Sequence, residues 1–504
     1  MEDKMTFRDY DEGIDADTQT YQACEPAQID WEEESPASKL MNLADKSFSR
    51  GDYETALELT EEAIRLYPED ACCHMFKALV YGIQGRHDEA IAPLSAAIAL
   101  EPDNASYHHK LGEFYIQLEM FAEAIAAFAA AIELEPDNAE FQGDLGMAYN
   151  EVDRFEESLV AYAKAIELEP DNPTHHLGWG NASYNLKHFG VALAAYSTGV
   201  KLDPKIAKGH RKLGDTYSQL GRHKKAAAAY SAAIKLDPAN GEGHFGLGNA
   251  YRQMGSHEKA LDAFTATIKL DPTKARNHFF QGITYQQLDR IDEAVASLSI
   301  AAELEPSNHF FHFYLGMIYD MSERHEEAVL SFSAAVKLEP NAENHCGLGN
   351  AYRKLDRYEE AAAAYSTAAK LNPSDPHLHF CAGDAFIRLG RHTDAIAALS
   401  VAIKLDPSNA RYYHVLGVSC FDMERYDEAI AYHAAAIKLA PTQAMYLFNS
   451  GLSLYRRAFE NMQSADLEMA IADLEKALRL DPNYERAREL KASCEKALAE
   501  MQGE

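Results

Sequence analysis

Small and large hydrophobic residues return along this chain with a period of 34 residues, and polar residues fill the positions between them. Prolines mark this period at Pro68, Pro102, Pro136, Pro170, Pro204, Pro238, Pro272, Pro306 and Pro340, then at Pro373, Pro407 and Pro441, and after a longer gap at Pro482. Counted back from these prolines, the chain holds thirteen repeats, the first of which starts at residue 37. A fixed period of this size indicates a stacked array of helical pairs rather than one globule.

Within each repeat the pattern predicts two amphipathic helices joined by a short turn. Positions eight, twenty and twenty-seven are small in the repeats, as in Gly248, Ala260 and Thr267 of repeat seven. Small residues are needed where two helix axes approach within about 8–10 Å. The proline after the second helix acts as a stop signal, because it cannot continue the helix.

This set of small residues and prolines resembles the tetratricopeptide repeat family, for example in HFGLGNAYRQMGSHEKALDAFTATIKLDP, residues 244–272. The resemblance implies an all-α fold, a tetratricopeptide-repeat α-solenoid wound into a right-handed superhelix whose concave groove holds peptide segments. We expect three parts: an acidic, disordered tail over residues 1–36, thirteen helical hairpins over residues 37–484, and a C-terminal capping helix within residues 485–504.

Charge and composition narrow the class of partner. The net charge of −32 argues against nucleic acid, because phosphates would be repelled. We find no apolar run near the ~18–20 residues of a membrane span, and residues 1–13 lack the pattern of a secretory signal. Seven scattered cysteines favour a reducing compartment. We therefore expect a cytoplasmic, monomeric protein whose partners are other proteins, with no membrane and no nucleic acid among them.

Catalytic and cofactor motifs are missing from the sequence. It contains no phosphate-binding glycine loop, no dinucleotide-binding glycine motif, no HExxH and no nucleophile elbow. A histidine recurs at position four of nine repeats, but zinc ligands must converge to about 2.0–2.1 Å while adjacent repeats lie a helix diameter apart. We expect these histidines to pack, and we predict no metal, no cofactor and no enzymatic activity.

The resemblance places the groove on the first helix of each repeat, where positions two, five, six, nine and thirteen share one face. At position five the later repeats carry phenylalanines, which we predict to anchor an apolar or amphipathic peptide: Phe245, Phe279, Phe313, Phe380 and Phe448. The alternative is that these rings pack against the neighbouring first helix.

Polar side chains interleave with the phenylalanines and are further candidates for partner binding: Asn249, Arg252, Arg276, Asn350 and Arg353. Arginine beside aromatic rings suits an acidic, extended segment, although a merely solvated charged face is the alternative.

Repeat six adds three basic candidates, Lys208, Arg211 and Lys212. The spacing of Lys208 and Lys212 is similar to half of the clamp with which some family members hold a carboxyl terminus. The other clamp positions supply neither lysine nor asparagine, so we do not predict a clamp; they read Gly143, Met147 and Gly178.

The expected function is a non-enzymatic scaffold or adaptor that binds peptide segments of partner proteins in the groove. The alternative is an accessory subunit that recruits substrates for a separately encoded enzyme, such as a transferase, or that serves a chaperone or assembly complex. The acidic tail, with a net charge of −10, is also expected to compete with partners for the basic segment 201–225, with a net charge of +6.

Overall fold

The computed structural model describes residues 36–502, which form twenty-seven α-helices and no strand. The predicted tail, residues 1–36, lies outside these residues except for Pro36, so its proposed competition stays a prediction. No helix in the described range is both long and apolar enough to cross a membrane.

The helices fall into two compact units, the first ending at Gly243 and the second beginning at His244. In the first unit the helices are α1 Pro36–Ser49, α2 Tyr53–Leu66, α3 Ala71–Ile83, α4 His87–Leu100, α5 Ala105–Gln117, α6 Phe121–Leu134, α7 Ala139–Glu151, α8 Phe155–Leu168, α9 Pro173–Asn185, α10 Phe189–Leu202, α11 Ala207–Gln219 and α12 His223–Leu236.

Helix α13, Gly241–Gln253, contains the boundary between the two units. The second unit continues with α14 His257–Leu270, α15 Ala275–Gln287, α16 Ile291–Leu304, α17 His309–Met321, α18 His325–Leu338, α19 Ala342–Lys354, α20 Tyr358–Leu371, α21 Pro376–Arg388, α22 His392–Leu405, α23 Ala410–Asp422, α24 Tyr426–Leu439, α25 Ala444–Asn461, α26 Ser464–Leu480 and α27 Glu485–Gln502.

Each regular repeat is a hairpin whose first helix spans positions 1–13 and whose second helix spans positions 17–30. The turn between them places position fifteen in the left-handed region, at φ +79° for Gly51 and +58° for Asp153. An Asn or Asp at position thirty-four often caps the next first helix, as Asp375 does by accepting from the His377 backbone N–H at 2.8 Å. These local signals set the helix boundaries.

The small residue at position eight makes room for the large side chain at position twenty-four. A Cβ atom on Gly248 would lie 2.7 Å from Cε1 of Phe264, and one on Gly349 would lie 2.7 Å from Cε1 of Tyr365. The alanines at position twenty, such as Ala260, are fully buried beside them. The two helices of a hairpin therefore approach closely because one of them lacks a side chain at the crossing.

The recurring histidine at position four is part of the fold. Its Nε2 donates to the carbonyl of the proline that precedes the repeat, at 2.8 Å from His176 to Pro170 and 3.0 Å from His278 to Pro272. These bonds satisfy a carbonyl that follows a helix end. In the shortened repeat ten Asn344 takes over, since its Nδ2 donates to the carbonyl of Glu339 at 2.7 Å.

Repeat thirteen absorbs its seven extra residues by lengthening both helices, to 18 residues in α25 and 17 in α26. Arg457 holds the longer hairpin together, because its Nε and Nη2 donate to the Asp466 carboxylate at 2.8 and 2.7 Å. Helix α27 then packs on α26 through buried Ala487 and Cys494.

Candidate functional site

The first helices pack on one side and leave most residues at positions two, six and nine partly exposed on the other, although a few, such as Asn249, are buried. In repeat nine these positions hold Phe310, Tyr314 and Met317, of which Met317 is 36% exposed. The second helix of the same repeat exposes Leu330 at 71% on its outer side. We call positions two, six and nine of the first helices the variable face.

Most of the phenylalanines predicted to anchor a peptide are buried. Phe279 is only 2% exposed, Phe245, Phe380 and Phe448 are also buried, and Phe313 is half-buried. The structure therefore favours the packing alternative for the four buried rings, which present little surface to a partner. Contact between this row and a partner stays a prediction.

These phenylalanines are buried because the side chain at position five contacts the side chain at position three of the next repeat. Ring centroids lie 5.2 Å apart for Phe279 and Phe311, and 5.1 Å apart for Phe380 and Tyr412. Spacing along one helix puts position five on the same side as positions two and nine, but the neighbouring first helix covers it.

An arginine at position two of the next repeat lies over several of these buried rings. The Cζ atoms of Arg276 and Arg411 lie 4.5 and 4.8 Å from the ring centroids of Phe245 and Phe380. Arg486 lies 5.2 Å from Phe448 in the same way. Sequence reasoning missed Arg411 and Arg486. A phenylalanine followed by an arginine 31 residues later, or 38 later across the seven extra residues of repeat thirteen, would have indicated them.

The asparagines at position nine have different surroundings. The Tyr365 hydroxyl donates to Asn350 Oδ1 at 2.7 Å, whereas neither amide atom of buried Asn249 has a hydrogen-bond partner. Arg353 is exposed, and Arg252 is half-buried with its Cζ atom 5.6 Å from the Phe280 ring. The structure thus brings Arg276 of α15 onto Phe245 of α13, the helix that also carries Asn249 and Arg252.

The three basic candidates of repeat six lie on α11, but they are not equivalent. Arg211 is buried, and its Nη1 lies 3.5 Å from the Asp215 carboxylate, while Lys208 and Lys212 are half-buried. Tyr230 donates to the same Asp215 carboxylate at 2.7 Å. Arg211 therefore contributes to packing inside its repeat, and the two lysines give the variable face of repeat six its basic character.

A polar cluster that the sequence did not indicate lies between repeats three and four. His109 Nε2 donates to Asp144 Oδ2 at 2.7 Å, and Lys110 forms an ion pair with Glu113. The ligand atoms of His109, Glu113 and Asp144 lie within 4.8 Å of one another, so they could hold a cation. The Lys110 ammonium already supplies a positive charge to Glu113, which accounts for the arrangement without an ion.

The cysteine thiols near the variable face are poor nucleophiles. Burial raises the pKa of Cys346 to about 11 and that of Cys381 to about 12. A thiol with so high a pKa stays protonated at neutral pH, whereas catalytic cysteines have lowered pKa values.

Several models of the tetratricopeptide repeat match the chain. One, described as tetratricopeptide repeat, matches residues 177–241, 211–275, 281–343 and 346–410, and others match 78–119, 115–177, 410–443 and 453–484. A search of curated proteins finds no match to this chain.

Solved structures with similar helical arrays show low similarity in sequence and in superposition. One is the crystal structure of the APC/C hetero-tetramer Cut9-Hcn1. The sequence identity is 16%, the match covers 91% of this chain and 96% of that one, and the TM-score is 0.35. A tetratricopeptide repeat protein from Parabacteroides merdae is 15% identical over 49% of this chain and 98% of that one, with a TM-score of 0.40.

The protein YrrB, described as a TPR protein with an unusual peptide-binding site, is 22% identical over 36% of this chain and 93% of that one, with a TM-score of 0.33. The family matches recur from residue 78 to residue 484, the range in which the structure shows one hairpin per repeat. The chain therefore belongs to the tetratricopeptide repeat family, whose repeats serve in general as protein–protein interaction scaffolds.

Proposed function

We propose that this chain is a non-enzymatic scaffold that binds extended segments of partner proteins along the variable face of its first helices. One observation carries the proposal: the residues that pack the repeats recur, whereas those of the variable face do not. Position six, for example, reads Lys110, Asp144, Gly178, Lys212, Gly246, Phe280, Tyr314, Gly347, Cys381, Val415 and Asn449. A surface that changes from repeat to repeat suits one specific, non-repetitive partner sequence.

The variable face differs in chemistry along the chain. Lys208 and Lys212 give repeat six a basic character, and Tyr314 and Met317 give repeat nine an apolar one. An acidic partner segment would suit repeat six, and an apolar one would suit repeat nine. The chain is proposed to act as a monomer, and its scattered cysteines support a reducing compartment such as the cytoplasm.

The test is affinity purification with mass spectrometry, comparing the intact chain with matched pairs of variants. Met317→Glu changes the variable face of repeat nine, and Leu330→Glu is its control on the second helix of that repeat. Lys212→Glu and Lys201→Glu form the corresponding pair around repeat six, since Lys201 is exposed at the end of α10. We expect recovery of specific partners to fall about fivefold or more for Met317→Glu or Lys212→Glu.

Both controls should leave that recovery unchanged, and circular dichroism should show that all four variants remain helical. If the control variants lost the same partners as the face variants, binding would have to use the second helices instead. A catalytic subunit among the specific partners would favour the accessory role over a scaffold of other proteins.

A further inference from the structure

In repeats five, six and ten, position nine of the first helix carries an acceptor to which a tyrosine of the same repeat donates. In repeats five and ten the hydroxyls of Tyr196 and Tyr365 donate to Asn181 Oδ1 and Asn350 Oδ1, each at 2.7 Å. The acceptor and the tyrosine stand fifteen residues apart, at positions nine and twenty-four. Within each of these repeats, the second helix therefore satisfies the carbonyl oxygen of the first-helix asparagine.

Repeat seven keeps the asparagine but lacks the tyrosine. Position twenty-four is Phe264, which has no hydroxyl, and Asn249 is only 6% exposed. Neither Oδ1 nor Nδ2 of Asn249 has a hydrogen-bond partner. Buried polar groups nearly always have a hydrogen-bond partner in folded proteins, so an amide whose oxygen and nitrogen both lack one calls for an explanation.

Three aromatic rings and two guanidinium groups pack together on α13 and the two helices that follow it, in the part of the chain that carries Asn249. The Phe280 ring lies 5.2 Å from the Phe245 ring and 6.1 Å from the Phe264 ring. Arg276 lies over the Phe245 ring and Arg252 near the Phe280 ring, at 4.5 and 5.6 Å from Cζ to ring centroid. Arg252 and Phe280 are half-buried, and side chains at a binding surface commonly rearrange when a partner arrives.

We propose that Asn249 is a binding residue whose amide pairs with a peptide bond of an acidic, extended partner segment. This inference rests on the proposed function and names the chemistry that one part of the variable face selects. A side-chain amide presents a donor and an acceptor side by side, and so does a peptide bond. One peptide group of the partner therefore hydrogen-bonds to both Oδ1 and Nδ2 of Asn249. An Asp or Glu beside that peptide bond would meet the positive charge of Arg252 and Arg276.

The first experiment measures thermal unfolding of the full chain by circular dichroism and needs no partner. Leucine has nearly the shape of asparagine without its polar atoms, so Asn249→Leu should raise the midpoint temperature. Asn350→Leu is the matched control and should lower it, because it removes the acceptor of the Tyr365 hydroxyl proton. Phe264→Tyr should raise the midpoint by supplying the hydroxyl found in repeats five and ten. A loss of stability in Asn249→Leu equal to that in Asn350→Leu would overturn the proposal.

The second experiment uses twelve-residue peptides selected on the intact chain from a random phage-displayed library, with affinity measured by fluorescence polarisation. We expect acidic peptides whose affinity falls about fivefold to tenfold in Asn249→Leu and in Phe264→Tyr. N-methylation of one main-chain nitrogen should weaken binding to the intact chain by a similar factor and have no effect on binding to Asn249→Leu.

The outcomes separate this inference from the proposed function. Selected peptides that bind the intact chain and Asn249→Leu equally well would overturn the role of Asn249 and leave the scaffold proposal standing. A library that yields no binding peptide would count against the scaffold proposal and, with it, against this inference.

Discussion

The same two repeat positions form a polar pair in the first unit and an aromatic pair in the second. Position five of repeat three and position six of repeat four are His109 and Asp144, whose side chains hydrogen-bond at 2.7 Å. The equivalent residues of repeats eight and nine are Phe279 and Tyr314, whose rings meet edge to face at 5.1 Å. One backbone arrangement thus accepts either chemistry at these positions.

The inner partner of position five is the same kind of side chain in both places. The ring of His109 stacks on Phe141 at 4.5 Å, and the ring of Phe279 contacts Phe311 at 5.2 Å. In both places the adjacent first helices pack through a flat ring at position five, whether that ring is polar or apolar. The pair toward the variable face is free to differ, because part of it remains exposed to water.

The largest loss of stability is expected where the residues at these positions form a fully apolar contact. Phe279→Ala should lower the stability of repeats eight and nine by about 3–5 kcal/mol, because it removes a buried ring and leaves a cavity. Hydrogen exchange would show the loss in α15 to α17. In a repeat array the loss should decline with distance from the substitution, so equal loss in α23 to α25 would contradict nearest-neighbour packing.

A pH effect is expected where histidines replace aromatic rings without a carboxylate partner. Burial lowers the pKa of His414 to about 4, and burial with the nearby His414 lowers that of His433 to about 3, against 6.5 in an unfolded chain. The unfolded state therefore binds protons first as pH falls. Stability is complete above pH 6.5 and declines below it by about 1.4 kcal/mol per pH unit for each histidine, down to about pH 4 and 3 respectively.

Urea denaturation between pH 7.5 and pH 5 measures this decline, and His433→Phe is the control. Phenylalanine stands at the same position as Phe264 and Phe332 in other repeats, and it cannot take up a proton. The difference in unfolding free energy between the variant and the natural chain should grow by about 2 kcal/mol from pH 6.5 to pH 5. A difference independent of pH would show that His433 does not titrate on unfolding.

A smaller effect tests whether the polar and aromatic pairs are interchangeable. His109→Phe alone should destabilise repeats three and four, because it leaves Asp144 beside an apolar ring. Combining it with Asp144→Tyr installs the pair of repeats eight and nine, and the double variant should recover about 1 kcal/mol of unfolding free energy relative to the sum of the single variants. Additive single effects in urea denaturation would mean that the two positions do not interact.

The smallest effect is expected on the variable face itself. Met317→Ser should change the free energy of unfolding by about 0.5 kcal/mol or less, because the side chain is partly exposed and substitutions of this kind remove little packing. Urea denaturation of Met317→Ser and of Phe279→Ala under the same conditions measures the difference between the two losses of stability. A loss comparable to that of Phe279→Ala would place Met317 in the packing rather than on the variable face.

Much of the fold could be predicted from sequence because its signals are local and recur. The prolines at a spacing of 34 and the small residue at position eight predicted helical hairpins, which the structure confirms. The histidine at position four was predicted to pack, but its hydrogen bond to a proline carbonyl was not foreseen. That bond depends on how the chain turns between repeats, which a periodic pattern does not describe.

The candidate site was harder to predict because its residues contact those of other repeats. Helical spacing placed Phe279 on the predicted groove, whereas the position of the neighbouring first helix buries it. The lack of a partner for Asn249 follows from Phe264, fifteen residues away on the next helix. Spacing within one helix could not indicate either result.

The sequence by itself determined the period, the two helices of each repeat and the crossing of those helices at a residue without a large side chain. These features depend on interactions within about 34 residues, and the same sequence signals recur in each repeat. Only the tertiary structure decided which side chains of the first helix are covered and which remain accessible, because that depends on the distance and tilt of the adjacent hairpin. Burial is a property of neighbours in space, and the helical period describes only neighbours along one helix.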